Sequence, residues 1–170
     1  NRLAILATRS AERGVRVVTH PYNIGNGAAV KSGIRAARGK RLVLMDGDGQ
    51  HDPKSIPLFV ESIKDQDFVL GTRYVSLKTM PFLRYGTNFT TSLTISLLSK
   101  RKIRDSQTGY RIIRREVLEN VVLKTSNYET ESEVLIQAAR KGFKIGFIPI
   151  KTIYKGEKSY INPVIDTYRA

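Results

Sequence analysis

Apolar residues fall along the chain in alternating helical and strand-like runs. Residues 2–13 carry Leu3, Leu6 and Ala7 at helical spacing and stop at Gly14, a residue favoured just past a helix end. Val15-Arg16-Val17-Val18 then reads as a short strand. The loop Tyr22-Asn23-Ile24-Gly25-Asn26-Gly27 opens a helix through Ala28, Val30, Ile34 and Ala37 that ends near Gly39. Leu42-Val43-Leu44-Met45 is a continuous apolar run, the pattern of a strand covered on both faces. Asp52-Pro53 begins the next helix, with an aspartate cap and a proline at the first helical position. Leu58, Phe59, Val60 and Ile63 form its apolar face, and Phe68-Val69-Leu70-Gly71 is a further buried strand.

This α-β-α-β-α-β succession predicts an α/β domain with a mostly parallel sheet and helices on both sides. Further on, residues 82–99 predict a helix rich in Leu, Thr, Ile and Ser. Residues 129–141 predict another, bearing Val134, Leu135 and Ala138 and closed by Gly142. Residues 144–154 alternate loosely through Ile145, Phe147, Ile150 and Ile153 and read as a late strand, followed from Ser159 by an amphipathic segment. With no repeat and no linker composition, residues 1–170 read as one domain.

Composition narrows the chemistry. The 170 residues are 41% hydrophobic and contain no cysteine, which removes disulfides and cysteine-held metals. No apolar run approaches the roughly 18–20 residues of a membrane-spanning helix. Lys and Arg number 29 against 15 acids, a formal charge of +14 that favours polyanionic partners such as nucleic acid, an anionic membrane surface or phosphorylated substrates. Lys100, Arg101, Lys102, Arg104, Arg111, Arg114 and Arg115 crowd one short region, whereas Asp46, Asp48 and Asp52 form a tight acidic trio. Nucleic acid is not the expected partner. The aromatics do not interleave with the basic residues as a stacking platform requires, and no nucleic-acid-binding signature is present.

The acidic trio stands where a buried strand ends, the place where open α/β sheets bind ligands. In an extended segment Asp46, Asp48 and Gln50 point the same way. Two close carboxylates repel unless a cation lies between them, and oxygen ligands suit Mg2+ or Mn2+ bridging a diphosphate. An acidic turn before a helix would need no metal, and Asp52 is sufficiently explained as that helix's cap. His51 reads as a packing residue at the edge of the site.

The string Asp46-Gly-Asp-Gly-Gln-His-Asp-Pro resembles the signature of family-2 glycosyltransferases, most closely the branch of dolichyl-phosphate mannose and polyprenyl-phosphate glucose synthases. Asn23-x-Gly25-x-Gly27-x-Ala29-x-x-x-Gly33, Gly71-Thr72-Arg73-Tyr74, Asp105-Ser-Gln-Thr-Gly-Tyr-Arg111, Glu129-Thr-Glu131 and Gly156-Glu157-Lys158-Ser159 follow the family's elements in order. The resemblance implies a GT-A, Rossmann-like fold. In that family the domain opens with a strand carrying Pro-x-Tyr/Phe-Asn-Glu, followed by a strand ending in paired aspartates that hold the base. Neither occurs here, so the resemblance puts the N-terminal strand and most of the base pocket upstream of Asn1.

The resemblance implies metal-dependent, inverting transfer of a hexose from a nucleotide-diphosphate sugar, GDP-mannose or UDP-glucose, to a polyprenyl or dolichyl phosphate. Asp46, Asp48 and Gln50 would hold Mg2+ or Mn2+, and Asn23, Gly25, Gly27 and Asp46 would line the donor site. Arg73, Arg84, Arg111, Lys158 and Ser159 would hold the acceptor phosphate. Asp48, Arg73 and Asp105 carry the catalytic expectation. Asp105 would orient an arginine, meet the sugar or act as base toward a sugar hydroxyl, the alternative acceptor. Glu129 and Glu131 suit a helix's first turn on their own account, although one of them can face the site. The expected location is the cytoplasmic face of a membrane.

Overall fold

A computed structural model describes residues 15–73, 96, 103, 108–126, 129–151 and 153. Its elements are α1 (Asn26–Ala36), β1 (Arg41–Leu44), a short 3-10 turn (Pro53–Ser55) running into α2 (Ile56–Ser62), β2 (Phe68–Arg73), β3 (Arg111–Arg114), α3 (Arg115–Asn120), α4 (Glu129–Arg140) and β4 (Ile145–Ile150). The expected helix at 2–13 and the amphipathic segment from Ser159 onward lie outside the described residues, as does the expected helix at 82–99 apart from Ser96.

The four strands form one sheet in the order β1-β3-β2-β4. β2 and β4 pair in parallel, and β3 pairs antiparallel with both β1 and β2. β1, β2 and β4 therefore share one direction, and β3 opposes them from between β1 and β2. The sheet is mixed: three of the strands the sequence predicts share one direction, as expected, and the antiparallel β3 is added between two of them. β3 escaped prediction because its apolar run is only Ile112-Ile113, flanked by arginines that normally mark a surface. Arg114 instead donates to the carbonyls of Gln66 (2.8 Å), Ile63 (2.9 Å) and Lys64 (2.8 Å).

A correction concerns Val15–Val18, which pairs with no strand among the described residues. Its valines at 15, 17 and 18 stay 52%, 45% and 51% exposed. A β-rich composition needs a neighbour's amides and carbonyls to become a strand, and none of the described strands supplies them.

Alternation along the strands divides the core between the two faces of the sheet. On one face Phe68, Leu70 and Ile113 pack with Val117 of α3 and Val134, Leu135 and Ala138 of α4. On the other, Val69, Ile112, Ile148 and Ile150 pack with Phe59 and Ile63 beside α2. Each fully buried residue of this size contributes roughly 1.5–3 kcal/mol. Asp52 caps the 3-10 turn as expected, accepting from the Lys54 amide at 3.0 Å. Gly142, at φ 86, follows the end of α4 where a residue with a side chain would be strained.

Register places the future site. Arg111 stands opposite Leu44, the last residue of β1, and Leu70 in the middle of β2. The residues just before Arg111 are thereby delivered to the same edge as the residues just after Leu44. The two motifs, more than sixty positions apart in sequence, are brought together by β3.

Candidate active site

Beyond β1 the chain does not stay extended. It turns at Gly47-Asp48, and the Asp48 carboxylate accepts from the Gln50 amide at 2.9 Å. The extended backbone expected from Asp46 to Gln50 is therefore corrected: a local aspartate turn replaces the alternation. Asp48 is exposed, and the Asp46 side chain retains 46% exposure. The Gln50 carbonyl accepts from the Ile153 amide at 3.0 Å.

Beneath Asp46 lies the segment 108–111. A side chain at Gly109 would collide with the Asp46 carboxylate, so the two touch at the backbone. Strand alternation sends Tyr110 to the α2 face and Arg111 to the α4 face. The Tyr110 ring lies 4.4 Å from Phe59 and 5.1 Å from His51, and its hydroxyl donates to the Asp52 carbonyl at 3.1 Å. Burial and the nearby Asp52 charge push the Tyr110 phenol above its usual range. His51 is buried, with Nε2 3.7 Å from Asp46 Oδ2. Its Nδ1 is the one buried side-chain nitrogen or oxygen without a hydrogen-bond partner among the described residues. His51 is thus a packed edge of the site, as its context predicted.

Arg111, expected among the cations facing an acceptor phosphate, is only 2% exposed. Its guanidinium meets the Glu131 carboxylate at 2.6 Å and the Glu131 carbonyl at 3.3 Å, and also donates to the Thr108 carbonyl. Burial pushes the Glu131 carboxyl above the usual carboxylate range; Arg111 opposes that shift, and the charge of Asp46 adds to it. Arg115 likewise donates to the carbonyls of Gly39 (2.9 Å) and Ala37 (2.7 Å). Arg111 is therefore an internal brace, and the partly exposed Arg114 and Arg115 are tied to backbone carbonyls.

The remaining site residues divide cleanly. Asn23 accepts from the Gly25 amide at 3.0 Å, shaping the turn that opens α1, while Gly27 is buried in its first turn. Arg73 ends β2, at the same sheet edge as Asp46 by the direction of the strands. Arg84, Asp105, Lys158 and Ser159 lie outside the described residues. Gly109 and Glu131 gained no definite role from sequence. Strand alternation through Tyr110 and Arg111 was the available signal, but it required β3.

The donor chemistry fits a hard divalent cation in part. No group of three or more His, Cys, Asp or Glu side chains is arranged to hold a metal among the described residues. Mg2+, however, commonly takes one or two carboxylates together with substrate phosphates and water. The accessible carboxylates of Asp46 and Asp48 match that smaller requirement.

An α/β sheet with an acidic turn at its carboxyl edge defines a GT-A-like fold. Glucosyl-3-phosphoglycerate synthase from Mycobacterium tuberculosis, in complex with Mn2+, UDP and phosphoglyceric acid, superimposes with a TM-score of 0.70 at 16% identity, over 95% of this chain and 57% of that one. The chain belongs to glycosyl transferase family 2, whose profile matches residues 3–122. A UDP-N-acetylglucosamine–dolichyl-phosphate N-acetylglucosaminyltransferase of Methanococcus voltae is 33% identical over 150 residues, 82% of this chain and 60% of the relative. A dolichol-phosphate mannosyltransferase of Pyrococcus furiosus is 33% identical over 134 residues, 75% of this chain and 38% of the relative. The chain thus spans less than two thirds of the length of either.

Proposed function

We propose that the protein transfers a hexose from a nucleotide-diphosphate sugar to a polyprenyl phosphate, with inversion at the anomeric carbon. The observation that carries this reading is the convergence of the Asp46-Gly-Asp48 turn and the 108–111 segment at the carboxyl edge of the sheet. The names of the two dolichyl-phosphate relatives support the acceptor class, and the presence of UDP and Mn2+ in the structural neighbour supports the donor class and the metal.

Asp46, Asp48 and Gln50 are the proposed holders of Mg2+ or Mn2+, and Asn23, Gly25 and Gly27 the proposed lining of the donor site. A divalent cation there would offset the charge growing on the departing nucleoside diphosphate. An acceptor phosphate oxygen attacks the anomeric carbon as its bond to the donor diphosphate breaks. A phosphate monoester has a second pKa of about 6 and is largely ionised at neutral pH, so no protein base is needed. It needs cations that hold it in line, and Arg73, Arg84, Lys158 and Ser159 are proposed for that work. Asp105 is proposed to orient one of these arginines or to meet the sugar. The net charge of +14 suits a surface drawn to the cytoplasmic face of an anionic membrane. No helix among the described residues is long and apolar enough to cross one.

The test uses the full-length protein in membranes with polyprenyl phosphate and, separately, labelled GDP-mannose, UDP-glucose and UDP-N-acetylglucosamine. One donor is expected to label the lipid phase, and a chelator or Asp48→Ala to reduce that label by about 100-fold or more. Folded protein that labels no lipid with any donor overturns the polyprenyl-phosphate reading. It would direct attention to a sugar-hydroxyl acceptor, with Asp105 as base.

A further inference from the structure

We infer that Gly109 is a positioning residue for Asp46, and that the buried Arg111–Glu131 pair holds Gly109 in place. This rests on the proposal that Asp46 is a metal ligand. A Cβ built at Gly109 would lie 2.6 Å from Asp46 Oδ1 and closer still to the other two carboxyl atoms. Real Cβ atoms essentially never approach another heavy atom so closely. By contrast, a Cβ at Gly47, between the two aspartates, would meet nothing within 4 Å. Lack of space thus demands a glycine under the acidic turn, whereas within the turn Gly49, at φ 79, is demanded by its backbone conformation.

Which partner would yield follows from how each is held. The backbone at 108–110 is fixed from several sides. Arg111 donates to the Thr108 carbonyl while gripping Glu131 of α4, the Tyr110 carbonyl accepts from the Gly71 amide at 2.9 Å, and the Tyr110 ring is wedged between Phe59 and His51. The atoms a Cβ at 109 would meet on Asp46 are instead the far end of a side chain that stands on a turn and is 46% exposed. A methyl group at 109 thus displaces the carboxylate and leaves the sheet intact. Glu131 and Arg111 act one step further out, as the brace that keeps the Thr108-Gly109 backbone under Asp46. That assigns the buried Arg111 a positioning role in place of direct contact with an acceptor phosphate.

The test is Mn2+ binding to the full-length protein, read from the spin resonance of free Mn2+ with no donor or acceptor present, beside a thermal melt. Gly109→Ala is expected to keep a cooperative melt and to weaken Mn2+ binding about 10- to 100-fold, the usual cost of losing an outer-shell support. Arg111→Lys keeps the charge but loses the fork that reaches both Thr108 and Glu131, and is expected to weaken binding in the same direction. A folded Gly109→Ala protein that binds Mn2+ like the parent overturns the inference. Should that variant not fold, unchanged Mn2+ binding by folded Arg111→Lys overturns it instead. A parent that binds no Mn2+ either alone or with a nucleoside diphosphate present overturns the metal reading itself, and this inference with it.

Discussion

Glu131 and Glu133 sit two positions apart near the start of α4, and their surroundings shift them in opposite directions. Glu131 turns toward the sheet edge, pairs with buried Arg111, and is pushed up by burial with the Asp46 charge nearby. Glu133 turns toward the loop before the helix. There burial works against its charge, but the Thr125 hydroxyl and the amides of Thr125 and Lys124 donate to it, and Lys31 adds a favourable charge; together these hold it below the usual range. The first network supports a proposed reaction site. The second ties α1 to α4, because Lys31 also donates to the Thr125 carbonyl at 2.6 Å and the Ala28 amide to the Ser126 carbonyl at 3.0 Å. The comparison teaches that an acid in a helix's first turn is given its role by what packs against it.

The sharpest way to break the comparison is to remove each carboxylate. Glu131→Ala leaves the Arg111 guanidinium buried without its counter-charge, and such a loss costs about 3 kcal/mol or more. Chemical denaturation should register that cost, and lipid labelling should collapse with it as the brace under Asp46 loosens. Glu133→Ala removes acceptors from two half-exposed amides and one hydroxyl, an effect of about 1 kcal/mol. Transfer by that variant should match the parent. Equal losses in the two variants would erase the distinction between a site brace and a loop tie.

Legibility in the sequence followed the same boundary. Leu42–Met45 and Phe68–Gly71 were readable as strands because their apolar runs are uninterrupted, although only the second is buried throughout and Met45 lies beyond β1, 41% exposed. Asp52-Pro53 and Gly142 were readable because capping chemistry is local. β3 was not, since Arg111 is buried against Glu131 and Arg114, half-buried, is tied to backbone carbonyls that only the folded chain supplies. Val15–Val18 erred the other way, having strand composition without a partner. At the site, Asp46 and Asp48 stood out through motif and position, although the turn at Gly47-Asp48 replaced the extended geometry. The contact between Gly109 and Asp46 could not be read, because it depends on the register that sets Arg111 between Leu44 and Leu70.

The smallest expected effect is also the cleanest separation of the two glutamates, since it asks only for a slope. A carboxyl whose folded pKa is lowered stabilises the fold above its unfolded value and loses that contribution as pH falls through the folded one. For Glu133 the loss begins below the ordinary value of 4.5. A carboxyl whose folded pKa is raised does the reverse: its favourable contribution is complete below 4.5 and is lost as pH rises through the elevated value, which is the case for Glu131. Melts of the parent, Glu131→Gln and Glu133→Gln from roughly pH 7 to roughly pH 3 span this range. Acidification should narrow the advantage of the parent over Glu133→Gln, because the parent's ionised acceptor is being protonated. Over the same interval the parent should gain relative to Glu131→Gln, whose neutral amide cannot take up the proton that burial favours. Parallel slopes for the two variants would mean that Arg111 holds Glu131 as firmly ionised as the Thr125 and Lys124 donors hold Glu133, and the two environments would then differ in geometry alone.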